Sequence, residues 1–307
     1  MKVLFAGSPE SSAKILKSLF FNEGFEVVGA ISQPDKRSKR GKGKEASPVS
    51  KEAFKLGIPV LKPVSLDESF KREIELLDFD FLLVSAYGKI LPDWLLESPN
   101  IASVNIHFSL LPKYRGASPI QTAILNSDKK TGVSIMQMIK EMDEGPVYSF
   151  HETEILRYEN KRDLENKLTS LCIKNIASDL NNIFQKKLAP IEQNNSKASY
   201  CKKINKLSGK IDFSKENAAD ILQKHKAYIG WPGLYFEKNN VVIKIHELEE
   251  YKGSKEDLKT KDFRFLSHGL VVKTIDSQIV ITHLQFPGKR IISAADAANS
   301  YAKFFEE

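Results

Sequence analysis

"DFDFLLVSAYG", Asp78 to Gly88, carries a run of apolar residues with no alternation between apolar and polar. A strand with one wet face alternates with a period of two, so this one is covered on both faces, as strands of parallel sheets are. Working outward, "KVLFAG" (Lys2–Gly7) and "FEVVGAIS" (Phe25–Ser32) read the same way, and "SVNIHF" and "GVSIMQMI" supply two more strands. Helical patterns fall between them. Ser8 and Pro9 are placed to start the first helix as N-cap and first helical residue, with Ala13, Leu16, Leu19 and Phe20 at helical spacing. "SPVSKEAFKLG" (Ser47–Gly57) is a capped helix, and further helices are expected over Pro119–Leu125 and Lys161–Phe184. Strands alternating with helices make this an α/β domain, Rossmann-like, with a largely parallel sheet.

The pattern changes after residue 186. "QKKLAPIEQNNSKASYCKK" is polar and aperiodic and reads as a linker. Beyond it "LYFEKNNVVIKIHEL" turns at Asn239-Asn240 and "GLVVKTIDSQIVITHL" at Asp276-Ser277, which predicts short hairpins and a small β-barrel. Ser293 with Asp296 opens a last helix. The expected division is a first domain over 1–186, a linker over 187–203 and a β-barrel domain over 204–307.

The 307 residues are 41% hydrophobic and 28% charged, with 46 Lys and Arg against 39 Asp and Glu, for a net charge of +7. That balance leans towards a polyanionic partner, although a lysine-rich chain reaches it without one. Cys172 and Cys201 lack the spacing of a zinc or redox site and suit a reducing compartment. No signal-peptide core and no run of ~18 apolar residues stand in the sequence. The expectation is therefore a cytoplasmic chain, away from membranes and monomeric, with no metal.

A dinucleotide site after the first strand calls for G-x-G-x-x-G. Here only Gly7 is present, Pro9 and Ser12 take the other positions, and Asp35 follows Pro34 in a charged loop, which argues against a nicotinamide cofactor. "NIHFSLLPKYRG" (Asn105–Gly116) is the better candidate, with an amide, an imidazole and a guanidinium within twelve residues. Residues i and i+2 of a strand share a face, so Asn105 and His107 point together. An amide donor beside an imidazole suits a developing oxyanion and proton transfer. Asp143, beyond the strand "SIMQMI" and next to Gly145, meets His107 if the two strands are neighbours at their carboxyl ends. No serine or cysteine occupies a nucleophile elbow. What is left is direct transfer to an external nucleophile, against the plainer reading of a polar strand end and an ordinary turn. "QPDKRSKRGKGKEASP" crowds Lys36, Arg37, Lys39, Arg40, Lys42 and Lys44 onto the loop after the second strand, a candidate contact for nucleic-acid phosphates. Lys206 and Lys210 head further lysines in the second domain.

"FAGSPE", "AYGKILP", "NIHFSLLPKYRGASPI", "TGVSIMQM", "MDEG", "IDFS", "GWPG" and "LQFPGKRIISAADAANS", in that order, resemble the landmarks of the methionyl-tRNA formyltransferase family along essentially the whole chain. The resemblance implies folate-dependent formyl transfer from 10-formyltetrahydrofolate to initiator methionyl-tRNA, with an OB-like second domain that binds tRNA. It implies Asn105, His107 and Asp143 as the catalytic trio. Ser109, Leu110, Leu111 and Pro112, with Tyr87 and Gly88, would line the folate site, and Arg40 would reach towards the acceptor stem. Phe108, Lys39 and the segment "KAYIGWPG" depart from the family pattern without touching the trio. The trio block is shared by the wider folate-dependent class. Formylation of a nucleotide sugar or a purine precursor, or RNA binding without catalysis, therefore stays open at this point.

Overall fold

The computed structural model describes residues 1–37, 43–253 and 258–306. In chain order the elements are β1 (Lys2–Gly7), α1 (Glu10–Phe20), β2 (Glu26–Ile31), β3 (Lys36–Arg37), β4 (Lys44–Glu45), α2 (Pro48–Lys55), β5 (Val60–Leu61) and α3 (Glu68–Ile74). They continue with β6 (Phe81–Ser85), α4 (Asp93–Leu96), β7 (Ala102–His107), β8 (Arg115–Gly116), α5 (Pro119–Leu125), β9 (Lys130–Gln137), β10 (Val147–Glu154), α6 (Lys161–Phe184) and β11 (Tyr200–Cys201). The rest comprises α7 (Ala218–Ala227), β12 (Leu234–Lys238), β13 (Val241–Glu250), β14 (Phe263–Leu266), β15 (Gly269–Lys273), β16 (Gln278–Gln285), β17 (Ile292–Ser293) and α8 (Ala294–Glu306). Two compact units form: residues 1–119, 129–155 and 163–201, and residues 120–128, 156–162 and 202–307.

The first unit is built on a seven-stranded sheet in the order β10-β9-β7-β6-β1-β2-β5. β6 is buried along its whole length, and it pairs in parallel with β1 on one side and β7 on the other, as the unbroken apolar run of Phe81–Val84 requires. Leu4, Ala6, Leu82 and Val84 pack with Ile31, Phe70, Ile74, Phe79, Leu91 and Leu95 into one core.

The sheet is mixed at one edge. β9 runs antiparallel to β7, and β10 antiparallel to β9. Asp143 therefore does not stand at the carboxyl end of a parallel neighbour, as the sequence suggested. The end of β9 lies beside the start of that pairing, Gln137 opposite Val104, and residues 138–146 must fold back to bring Asp143 to the other end.

Two local expectations also shift. Pro9 is itself the N-cap of α1, with no side-chain cap, and the Ser8 hydroxyl turns to the Tyr87 carbonyl at 3.4 Å. Phe20 is 38% exposed while Ala13, Leu16 and Leu19 are buried. The stretch expected as a linker packs with the first unit as far as Cys201. Ile191 bridges Val147, and β11 pairs in parallel with β8, so the stretch is tied to the first unit although most of its residues stay exposed.

The second unit carries an antiparallel sheet in the order β12-β13-β16-β15-β14, with β17 on β16. Asn239 and Asn240 both take positive φ, 48° and 61°, the conformation a two-residue hairpin needs and asparagine tolerates. Phe213, Phe236, Phe263 and Phe305 interlock with ring centroids 5.2–5.8 Å apart. The amide of Asp296 donates to the Ser293 hydroxyl at 3.1 Å, as the sequence predicts for the start of α8.

Ser47 caps α2: its hydroxyl accepts from the Ser50 amide at 3.0 Å, with Pro48 following. Ser47→Ala is expected to cost about 1 kcal/mol, as N-cap losses do. Chemical denaturation of the two proteins side by side measures it, and an unchanged midpoint would remove the cap from the account.

Candidate active site

β7 supplies Asn105 and His107 at the end where its pairing with β6 stops, Val84 opposite Asn105. Their alternation partners Val104 and Ile106 are buried on the other face. His107 is only 5% exposed, so its ring polarity has to be satisfied internally. Its Nε2 lies 3.0 Å from the Tyr114 carbonyl oxygen. A carbonyl only accepts, so Nε2 carries the proton and Nδ1 is the nitrogen turned to the site.

Asp143 completes the group. Its Oδ2 accepts from the Gly116 amide at 2.8 Å and its Oδ1 from the Asn105 side-chain amide at 3.3 Å. Oδ2 stands 3.7 Å from His107 Nδ1, within ion-pair reach but beyond a hydrogen bond. The structure thus brings all three expected residues together, and it refines how. The Tyr114 carbonyl, and not Asp143, orients the imidazole. Asn105 has two N–H donors and gives one to Asp143, which leaves the other for a ligand.

Glycine is required where these contacts are made. Gly116 has φ of 119°, and a Cβ there would lie 2.3 Å from the Cys201 carbonyl oxygen. At Gly145 a Cβ would meet the Gln137 carbonyl oxygen at 2.0 Å. Cys201 donates from Sγ to the Tyr114 carbonyl at 3.4 Å and receives the Ser118 amide at 3.3 Å. Burial above all pushes its thiol up, the Ser118 donation opposing, so it sits here as a neutral donor and not a nucleophile.

The turn after β7 is held from beneath. The buried Ser134 hydroxyl donates to the Ser109 carbonyl at 2.6 Å and accepts from the Leu111 amide at 3.0 Å. The Ser109 hydroxyl closes onto the Lys113 carbonyl at 2.5 Å, and the Pro112 carbonyl accepts from Ser199 at 3.1 Å. Leu110 is half-buried and Leu111 buried. Across the rim, β6 ends in a turn where Ala86 and Gly88 have positive φ, 48° and 83°. Tyr87 is buried in the core with its phenol pushed up to about 12 by burial, and its hydroxyl lacks a partner among the described residues. Its side chain belongs to the core; what it gives the rim is backbone. A flat, amide-edged heterocycle needs backbone polar groups beside apolar side chains, and these two turns provide that combination, so the residues present fit a folate.

Lys36, Arg37 and Lys44 are exposed on a two-residue antiparallel ladder, Lys36 opposite Glu45 and Arg37 opposite Lys44. Lys39, Arg40 and Lys42 lie outside the described residues. Lys206 is exposed, whereas Lys210 is engaged with Glu237 at 2.7 Å. The basic helix α7 is likewise not a bare cationic face: Lys224 pairs with Glu216, and Lys226 donates to the Arg157 carbonyl at 2.9 Å. Among the described residues no cluster of three or more His, Cys, Asp or Glu is arranged for a metal ion, and no helix is long and apolar enough to cross a membrane.

Sequence reasoning missed Gln193, Ser134 and the Tyr114 carbonyl, and it noted the Arg115 guanidinium without giving it a role. Arg115 stands inside the quoted stretch, yet only its burial, at 1% exposure, shows that it is structural to the site.

Residues 1–180 match the family described as formyl transferase, and residues 203–302 its C-terminal domain. A methionyl-tRNA formyltransferase of Sulfurihydrogenibium sp. is 37% identical over 98% of this chain and 97% of its own length. One from Mycoplasmopsis pulmonis is 37% identical over 94% of this chain and 95% of its own. Among solved structures, HypX from Aquifex aeolicus shares the fold with a TM-score of 0.67 at 15% identity over 99% of this chain, which spans about half of that protein, 49%. A methionyl-tRNA formyltransferase from Clostridium thermocellum gives a TM-score of 0.60 at 15% identity, covering 83% of this chain and 95% of that one.

Gly116→Ala is expected to destabilise the first unit by more than about 1 kcal/mol, since both the positive φ and the Cys201 carbonyl oppose a Cβ. Thermal unfolding of the variant tests this, and an unshifted transition would contradict the geometry.

Proposed function

We propose, from the fact that the chain belongs to the methionyl-tRNA formyltransferase family, that it transfers a formyl group from 10-formyltetrahydrofolate to the α-amino group of methionine on initiator tRNA. The observation that carries the reading is the match along both units, because the trio alone suits any acceptor of the wider class. The folate supplies the activated formyl group. Asn105 offers its second amide N–H to the formyl oxygen as negative charge develops there. His107, protonated at Nδ1, faces the same oxygen, its ring held by the Tyr114 carbonyl. Asp143 stabilises the charged imidazole and accepts the proton released by the amine as it bonds to the formyl carbon. The bond from that carbon to the folate nitrogen then breaks, and the departing nitrogen takes up a proton. Ser109, Leu110, Leu111 and Pro112, with the backbone at Tyr87 and Gly88, hold the folate.

The first domain, 1–186, carries catalysis in this reading, and 204–307 binds tRNA through Lys206 and Lys210. Lys36, Arg37, Lys39, Arg40, Lys42 and Lys44 meet acceptor-stem phosphates. No step calls for a metal. The protein works as a monomer in the cytoplasm, which suits its two unpaired, buried thiols.

The direct test is formylation of charged initiator tRNA, with free methionine, an amino nucleotide sugar and a purine precursor as competing acceptors. Product with the charged tRNA alone is expected, and product with a sugar or purine acceptor alone would overturn the reading. Asn105→Ala, His107→Ala and Asp143→Asn should each lower kcat about 100-fold or more, the magnitude of removing one oxyanion donor, while tRNA affinity stays within about threefold. A trio variant at the parent rate would sink the mechanism. Replacing Lys36, Arg37 and Lys44 by alanine should raise the KM for tRNA and flatten its dependence on log salt by about one unit for each phosphate left without its cation. An unchanged salt slope would take those residues out of the interface.

A further inference from the structure

We propose that the buried guanidinium of Arg115, acting through Gln193, is a latch that sets the position of the Asp143 carboxylate; the inference rests on the reading above, in which Asp143 takes part in the chemistry.

Arg115 is 1% exposed, and its five N–H groups are met on every side. Nε and one terminal nitrogen donate to Gln193 Oε1 at 3.0 and 2.9 Å, and that same nitrogen donates to Asn195 Oδ1 at 2.7 Å. The other terminal nitrogen donates to the Tyr200 hydroxyl at 3.3 Å and pairs with Glu144 Oε2 at 3.3 Å. The planar fork fixes which end of the Gln193 amide it faces. With Oε1 claimed, the NH2 end points the other way. There it donates to the backbone carbonyls of Asp143 at 2.9 Å and Gly145 at 2.6 Å. One cation therefore holds three consecutive residues: Asp143 and Gly145 through Gln193, and Glu144 directly.

Asp143 needs such support. Its φ is 57°, a left-handed conformation that residues other than glycine adopt less readily. Its carboxylate has one short anchor, the Gly116 amide, and only a long contact to Asn105. A shift of this backbone moves the carboxylate with respect to both His107 and Asn105. Arg115 and Gln193 touch none of the three side chains of the trio in this structure, so they are positioning residues and not catalytic ones. The Gln193 amide satisfies both sides at once, whereas glutamate would keep the arginine but turn an oxygen on two carbonyl oxygens.

Gln193→Glu is therefore the informative substitution. Two readouts are expected to change: hydrogen exchange of the Gly116 amide, which reports whether Asp143 still accepts from it, rises tenfold or more, and kcat for initiator methionyl-tRNA falls tenfold or more with both KM values within twofold. In an Asp143→Asn background the same substitution should change kcat less than twofold, because a positioning group has nothing left to position. Gln193→Met, which removes the acceptor and the donors without adding charge, is run beside it in case the glutamate variant does not fold, and should give the same split. Unchanged Gly116 exchange in the folded variants, or equal losses of kcat in both backgrounds, would overturn the latch. Raised exchange with full turnover would instead uphold the latch and remove Asp143 from the chemistry.

Discussion

A strand covered on both faces has room for a polar side chain only where a protein partner meets it. β6 and β1 pair in parallel and fill both faces with apolar side chains. β7, parallel to β6 but antiparallel to β9, is apolar on one face only, and its other face carries Ser103, Asn105 and His107. Burying an unpaired amide or imidazole inside that sheet would cost several kcal/mol. Asn105 and His107 occur where the ladder from β6 stops, and even there each is supplied with a protein partner. The site's location thus follows from what the core excludes, and its chemistry from which polar groups the chain can bring to that rim.

Bringing them there is the harder problem. A parallel neighbour would have delivered a carboxylate at its own carboxyl end. The antiparallel course of β9 delivers the chain to the wrong end, and residues 138–146 have to return it. The return needs a glycine at 145 against the Gln137 carbonyl, a strained Asp143, and anchors on residues far along the chain, Gln193 and Tyr200 among them. This explains why the polar stretch after α6 is ordered onto the first unit: its amides are the hydrogen-bonding partners that the returning loop and the buried arginine lack.

The legible parts of the sequence were those governed by local rules. Unbroken apolar runs gave the sheet, Ser47-Pro48 gave the start of α2, Asn239-Asn240 gave a hairpin, and the i, i+2 spacing put Asn105 and His107 on one face. Strand direction is not local. Nothing in "GVSIMQMI" says whether it runs with or against β7, and the expectation for Asp143 reached the right neighbours by the wrong path. Gln193 and Arg115 were hidden for a related reason. Amides in a proline-containing stretch look solvated, and the guanidinium in the quoted stretch has no visible partner, because Gln193 stands 78 residues away in sequence and only the fold brings the two within hydrogen-bond distance.

The division between chemistry and acceptor choice has a physical basis as well. In the proposed function the trio acts at short range in a largely buried setting and is indifferent to what carries the amine. Phosphate recognition by exposed lysines and arginines is long-ranged, additive and screened by salt. Lys210 illustrates how weakly such groups are committed beforehand: its ion pair with Glu237 is solvent-exposed, and pairs of that kind contribute little. Trading that carboxylate for a phosphate therefore costs little, and surface cations of this sort can be tuned to an acceptor without disturbing a rim whose polar groups are tied into the Arg115–Gln193–Asp143 network. The separation runs one way only. Under the proposed function, a change at the rim alters the reaction for every acceptor, while a change among the exposed cations alters which acceptor is held long enough to react.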